Sequence, residues 1–120
     1  MDENFLYAKS YSFSIRIVNM VQYIHKESRE FVLSKQVLRS GTAIGALISE
    51  SKFAQSRADF QNKLMVALKE ANETKYWLDL LKDTGYITPT IHKSMLSDNK
   101  ELIGLLVSIT KTIKNKDNTK

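Results

Sequence analysis

The stretch FQNKLMVALKEANETKYWLDLL, residues 60–81, decides the fold, because its apolar and small side chains recur at alternating intervals of four and three residues. The members of this series are Phe60, Leu64, Ala67, Ala71, Thr74, Leu78 and Leu81. That spacing places all of them on one side of an α-helix and leaves the charged side chains on the other side. The stretch therefore predicts a long amphipathic helix with one face turned toward a core.

Punctuating residues mark both ends of this helix. Ser56, with Asp59 three residues later, predicts an N-terminal cap, because the hydroxyl can accept a hydrogen bond from a first-turn N–H group. Gly85 predicts the C-terminal end, and Thr88 followed by Pro89 predicts the start of the next helix. The chain therefore turns sharply between these two helices.

Three further apolar stripes with helical spacing flank this helix in the sequence. They are formed by Phe13, Ile17, Met20, Val21 and Ile24, by Leu33, Val37, Gly41, Ile44 and Ile48, and by Met95, Leu102, Leu106, Ile109 and Ile113. The chain thus predicts helices at about 5–27, 33–54, 57–84 and 89–114, joined by short connections. We expect an all-α, antiparallel up-and-down four-helix bundle as a single domain over residues 1–116, with a flexible basic tail over 115–120.

The composition excludes several classes of protein. The 120 residues contain no cysteine, which rules out disulfide scaffolds, zinc ribbons and thiol nucleophiles and favours a cytoplasmic location. The N-terminus begins with acidic residues, and the longest uncharged stretch, near residues 41–49, is too short to span a bilayer. We therefore expect no membrane partner.

The sequence also lacks the residue sets that catalysis or metal binding would need. The two histidines, His25 and His92, lie at predicted helix edges, and neither follows a glutamate by three residues as in di-iron bundles. Glu70 and Glu73 are one turn apart, and we expect them to pair with Arg39 or with lysines. We therefore predict no catalytic residues, no metal, no cofactor and no small-molecule substrate, and hence no enzyme.

Two glycines inside the second predicted helix indicate close packing. Gly41 and Gly45 each cost about 1 kcal/mol relative to alanine in a helix interior, so a closely approaching helix or chain must offset that cost. With Ala46 they form a flat surface of small residues. We predict helix or subunit packing for these three residues and for Leu47 and Trp77.

The net charge of +5 favours binding to phosphates, although no motif that reads nucleic-acid sequence is present. Any such binding should depend strongly on salt and weakly on sequence. The candidate nucleic-acid-binding residues are Lys35, Arg39, Lys52, Arg57, Lys111, Lys114 and Lys116. The alternative for these residues is an ordinary solvated surface, and for the tail a solubilising role.

Three segments carry a resemblance to a known family: VLSKQVLRSGTAIGALISES, AQSRADFQNKLMVALKEANETKYWLDLL and ELIGLLVSITKTIK. Together they resemble the four-helix-bundle family encoded in intervening sequences of bacterial 23S rRNA genes, from about residue 11 to residue 114. The matching residues are Gln36, Arg39, Ser40, Ile44, Gly45, Glu50, Asp59, Lys63, Glu70, Glu73, Tyr76 and Trp77. The chain departs from the family at Ala43 and Leu47, where the family usually has serine and asparagine, so we expect a drier contact on that helix face.

The resemblance implies a ring, typically a homopentamer, around a central channel. A related branch, the accessory variability determinant of diversity-generating retroelements, works as a basic pentamer with a reverse transcriptase and its RNA. We therefore expect a non-enzymatic homo-oligomer that associates with RNA or a ribonucleoprotein through a basic surface. The alternative is a structural or adaptor homo-oligomer that binds a protein partner and has no nucleic-acid role.

Overall fold

The computed structural model describes residues 3–118 of the chain, with side chains described for residues 4–114. Its four helices are α1 (Glu3–Ser28), α2 (Leu33–Ser51), α3 (Arg57–Asp83) and α4 (Pro89–Asn118), and no strand occurs among these residues. The all-α prediction is therefore confirmed. None of these helices is long and apolar enough to cross a membrane.

Each helix packs against two neighbours, in the order α1, α2, α3, α4 around a central core. The body measures 53 Å along its long axis and 22 by 20 Å across it. The regular stripe of α3 lies in this core, where Leu64, Ala67, Ala71, Thr74, Leu78 and Leu81 are all buried. Among the described residues no diagonal helix pair packs directly, so α2 and α4 lie at opposite corners.

Local signals set the turns on both sides of α3. The Ser56 hydroxyl accepts a hydrogen bond from the backbone N–H of Asp59 at 3.0 Å, which confirms the predicted cap. The Asp59 carboxylate in return accepts from the backbone N–H of Gln55 at 3.2 Å. At the other end Gly85 adopts a φ of 84°, and the Thr88 hydroxyl accepts from the backbone N–H of Ile91 at 3.1 Å.

Two helix ends differ from the predicted bounds by more than two residues. Helix α2 ends at Ser51 and not at 54, because the backbone N–H groups of Phe53 and Ala54 form turn bonds to the carbonyls of Glu50 and Ser51. Helix α4 continues to Asn118, since no glycine or proline interrupts residues 111–118. The predicted tail over 115–120 thus overlaps the end of α4, and residues 119–120 lie outside the described part.

The turn between α1 and α2 is built without glycine or proline. Arg29 takes the left-handed backbone conformation, with φ of 50°, and its N–H donates to the carbonyl of His25. The Glu30 carboxylate then accepts hydrogen bonds from the backbone N–H groups of Val32, Leu33 and Ser34 at 2.8–2.9 Å. Although partial burial opposes it, these bonds hold the pKa of Glu30 below its ordinary value.

Candidate functional site

A charged cluster joins the outer sides of α2 and α3. Arg39 Nη1 lies 3.2 Å from Glu70 Oε1, and Arg39 Nη2 contacts Glu73 Oε2. The indole N–H of Trp77 donates to the same Glu73 oxygen at 3.0 Å. The spacing of residues 70, 73 and 77 places these three side chains on one side of α3. The expected pairing of Glu70 and Glu73 with Arg39 is therefore confirmed.

This cluster leaves little charge for a ligand. The hydrogen bond from Trp77, together with that from Arg39, lowers the pKa of Glu73, so the ion pair persists at neutral pH. The guanidinium of Arg39 is balanced by two carboxylates of its own chain, and the expectation that Arg39 binds nucleic acid gains no support. Because the pair is partly exposed to water, it contributes at most about 1 kcal/mol to stability.

The small residues of α2 pack mainly against α1 of the same chain. A Cβ atom on Gly41 would lie 2.8 Å from both Cδ1 and Cγ1 of Ile17, and one on Gly45 would lie 3.1 Å from the Ser14 hydroxyl. Both glycines thus allow close approach of two helices. Leu47 and Trp77 are half-buried against the core, whereas Ala46 points outward.

This close approach gives a prediction with a built-in control. Gly41→Ala and Gly104→Ala both gain about 1 kcal/mol of helix propensity, but only the first creates a clash, since a Cβ on Gly104 meets nothing within 4 Å. We expect Gly104→Ala to raise the free energy of unfolding above that of the unmodified protein. The free energy of unfolding of Gly41→Ala should be about 1–3 kcal/mol lower than that of Gly104→Ala, the usual cost of overpacking. Urea denaturation of both variants measures the difference, and equal midpoints would contradict the tight contact with Ile17.

The outer side of α4 carries a row of lysines, which we call the lysine face: Lys93, Lys100, Lys111 and Lys114. Intervals of seven and eleven residues are close to two and three full helical turns, so the first three side chains project in nearly the same direction. All four are exposed, and none forms an ion pair with any described side chain of residues 4–114. The lysine face is therefore a positive stripe along the bundle that no described acid neutralises.

The two acids of α4 whose side chains are described pair with cations of α1 and not with these lysines. Asp98 contacts Arg16 Nη1 of α1, and Arg16 Nη2 donates to the Ser94 hydroxyl at 2.7 Å. Glu101 pairs with Lys9 of α1 at 3.1 Å. These acids neutralise cations on α1 and leave the positive potential of the lysine face intact.

The other predicted nucleic-acid residues are scattered. Lys35 is exposed on α2, and Lys52 lies over the Tyr7 ring, with Nζ 4.3 Å from the ring centroid. Arg57 is exposed at the start of α3, and the side chain of Lys116 lies outside the described residues. Only Lys111 and Lys114 belong to the lysine face. Lys93 and Lys100 were not among the predicted binding residues, although their seven-residue interval indicates that they share one helix face.

A second surface, formed by α1 and α2, has no charge. We call it the uncharged face: Tyr11, Ile15 and Val18 of α1 with Thr42 and Ala46 of α2. Tyr11, Thr42 and Ala46 line one shallow groove, and Ile15 and Val18 continue the same side of α1. The three α1 side chains are exposed although they are large and apolar. An apolar surface of this kind is typical of a protein contact.

Two comparisons identify related proteins. The profile of a family described as "23S rRNA-intervening sequence protein" matches residues 2–108. A crystal structure at 1.70 Å resolution, of a protein of unknown function from the S23 ribosomal protein family of Bacteroides thetaiotaomicron VPI-5482, is similar with a TM-score of 0.90. The two sequences are 55% identical, and the match covers 92% of this chain and 99% of the Bacteroides chain. No curated protein matches.

Proposed function

This chain belongs to the 23S rRNA-intervening sequence protein family, and from that premise we propose that it is a non-enzymatic, homo-oligomeric helical bundle that binds RNA through the lysine face of α4. The observation that carries the proposal is the lysine face itself. Four exposed ammonium groups follow one side of a helix, without an acid among the described side chains of that side. Such a stripe matches the repeated negative charge of a phosphate backbone.

The register of contacts between the helices supports an antiparallel bundle. Lys9 faces Glu101 and Arg16 faces Asp98, so α1 and α4 run in opposite directions past each other. Ile17 opposite Gly41 and Ser14 opposite Gly45 give the same result for α1 and α2. We therefore propose the up-and-down arrangement, in which the lysine face and the α2 part of the uncharged face lie at opposite corners.

The uncharged face supports the oligomeric part of the proposal. Exposed tyrosine, isoleucine and valine next to small residues allow a second copy to approach closely. The family resemblance, which implies a ring that is typically a homopentamer, favours five copies. A ring of five chains, each with a formal charge of +5, would carry +25 and would focus a stronger field on RNA than a single chain does.

We extend the proposal to the absence of catalysis and to a cytoplasmic location. Both histidines are engaged within the chain, His92 Nε2 with Asp79 at 2.8 Å and His25 Nε2 with Ser34 at 3.1 Å. The Ser34 hydroxyl beside His25 is completely buried and donates to the Glu30 carbonyl at 2.8 Å, so neither histidine lies beside an accessible nucleophile. The cytoplasmic location rests on the cysteine-free composition.

A binding titration with paired charge variants tests the RNA proposal. Lys100→Gln with Lys111→Gln removes two cations from the lysine face. We expect this variant to bind RNA more weakly and to reduce the slope of log affinity against log salt by about one for each lysine lost. Fluorescence anisotropy at two salt concentrations measures both quantities.

The matched control is Lys26→Gln with Lys35→Gln. It leaves the same formal charge of +3 but removes cations on either side of the α1–α2 turn, outside the lysine face. We expect this control to bind almost as the unmodified protein does. An equal loss in both variants would mean that net charge, and not the lysine face, governs binding. Absence of RNA binding at low salt would refute the RNA proposal and leave a protein adaptor as the function.

A further inference from the structure

Phe53, in the turn between α2 and α3, is the most exposed large apolar side chain among the described residues, at 85%. Burial of a phenylalanine side chain gains about 1.5–3 kcal/mol, so its exposure is unfavourable for the isolated bundle. The turn is nevertheless ordered, with the N–H of Phe53 donating to Glu50 and that of Ala54 to Ser51. The ordered backbone thus directs the ring away from the core and into solvent.

Cations and aromatic rings lie at the same end of the bundle as Phe53. Lys52 precedes it and lies over Tyr7, and Lys9 Nζ lies 5.6 Å from the centroid of the Phe5 ring. The contact between Lys52 and Tyr7 brings the start of α1 to the same end of the bundle as the α2–α3 turn. We call this region, Phe5, Tyr7, Lys9, Lys52 and Phe53, the aromatic–lysine end.

The lysine face leads to the same end of the molecule. Lys111 and Lys114 line a groove with Gln61, which follows the start of α3 by one turn. The cross-section of the bundle is only 22 by 20 Å. A strand held by phosphates along α4 can therefore continue across the aromatic–lysine end.

We propose that Phe53 is a stacking platform for an unpaired RNA base, so that the protein prefers single-stranded over double-stranded RNA. This inference rests on the proposed function. An exposed ring beside cations is the combination that proteins use to bind single strands without reading their sequence, because every base has a stackable face. Bases inside a duplex are already stacked on each other and cannot reach the ring.

A protein occupant fits these observations less well. Lysines are depleted at the centres of protein interfaces, and here Lys52 is the immediate neighbour of the ring. A symmetric contact between two copies of this end would also place like charges against each other. An RNA strand instead brings negative charge that Lys52 attracts.

The test compares Phe53→Ala with Phe31→Ala, an exposed phenylalanine (55%) in the α1–α2 turn at the other end. The probes are a single-stranded RNA of about 12 nucleotides containing 2-aminopurine and a duplex of the same charge. We expect Phe53→Ala to lower single-strand affinity about five- to hundredfold, the equivalent of one lost base stack, without changing duplex affinity. Phe53→Trp should restore both the affinity and the quenching of 2-aminopurine fluorescence, and Phe31→Ala should change neither.

Several outcomes would overturn the stacking proposal. They are equal losses for single strand and duplex, no loss at all in Phe53→Ala, or a change in oligomer mass, which would make Phe53 a subunit contact. Circular dichroism melting verifies that each variant is folded. If the lysine variant weakens binding while Phe53→Ala does not, only the stacking inference fails. If the unmodified protein binds neither RNA, the proposed function fails as well.

Discussion

Replacement of Asn99 by aspartate is expected to lower the free energy of unfolding at pH 7 by about 3 kcal/mol or more. Asn99 is completely buried on α4, and its Nδ2 donates to the carbonyl oxygen of Ala71 on α3 at 3.0 Å. Its Oδ1 accepts no hydrogen bond from any described residue. Aspartate has the same shape but no N–H donor, so a carboxylate would face the Ala71 carbonyl without a partner in the core.

The loss should depend on pH in a defined direction. Burial raises the pKa of the introduced carboxyl above the unfolded value of about 3.9. Below that unfolded value the acid is neutral in both states, and the charge penalty is absent. The penalty grows as the pH rises from about 4 and reaches its full size above the folded-state pKa. Chemical denaturation at several pH values, referred to the unmodified protein, measures this curve.

Asn99→Leu is the control, because it keeps the branched outline and removes both polar groups. We expect it to cost less than about 1.5 kcal/mol, since loss of one hydrogen bond is offset by loss of an unpaired buried oxygen. Its effect should not vary with pH. A carboxylate variant as stable as the leucine variant at pH 7 would show that water or another partner reaches position 99.

The sequence predicted those helix ends that depend on residues close together in the chain. Ser56 with Asp59, Gly85, and Thr88 before Pro89 act through hydrogen bonds or backbone preferences within four residues. The α1–α2 turn was less readable, because Arg29 adopts the conformation that glycine usually adopts. There the carboxylate of Glu30 also provides a cap to which no standard pattern corresponds.

The functional surfaces were predicted only in part, for a related reason. Charge counting along the chain does not show which cations are neutralised by distant acids, and Lys9 meets Glu101 only after α1 and α4 pack. The intervals of Lys93, Lys100 and Lys111 on one helix were available in the sequence and predict one face. Residues 10–25 likewise contain Arg16 as their single formal charge, which is the signal for the uncharged face.

Ile15→Asp is expected to convert the proposed oligomer into monomers. Ile15 lies in the middle of the uncharged face and is 49% exposed in the single chain. If a second copy covers this face, the introduced carboxylate loses its water, and the uncharged face itself offers no cation to compensate it. A buried unpaired charge weakens each subunit contact by about 3 kcal/mol, or more than a hundredfold in Kd.

Val107→Asp provides the matched control for this prediction. Val107 is also a β-branched aliphatic residue in the middle of a helix and is 43% exposed, but it lies on the outer side of α4. Light scattering after gel filtration over a dilution series should give the 13.8 kDa mass for Ile15→Asp and the multimer mass for Val107→Asp. A multimer in both variants would exclude the uncharged face as the subunit contact, and a monomeric unmodified protein would refute the oligomer. Because the lysine face is unchanged in the Ile15 variant, its RNA affinity then measures how much of the binding depends on assembly.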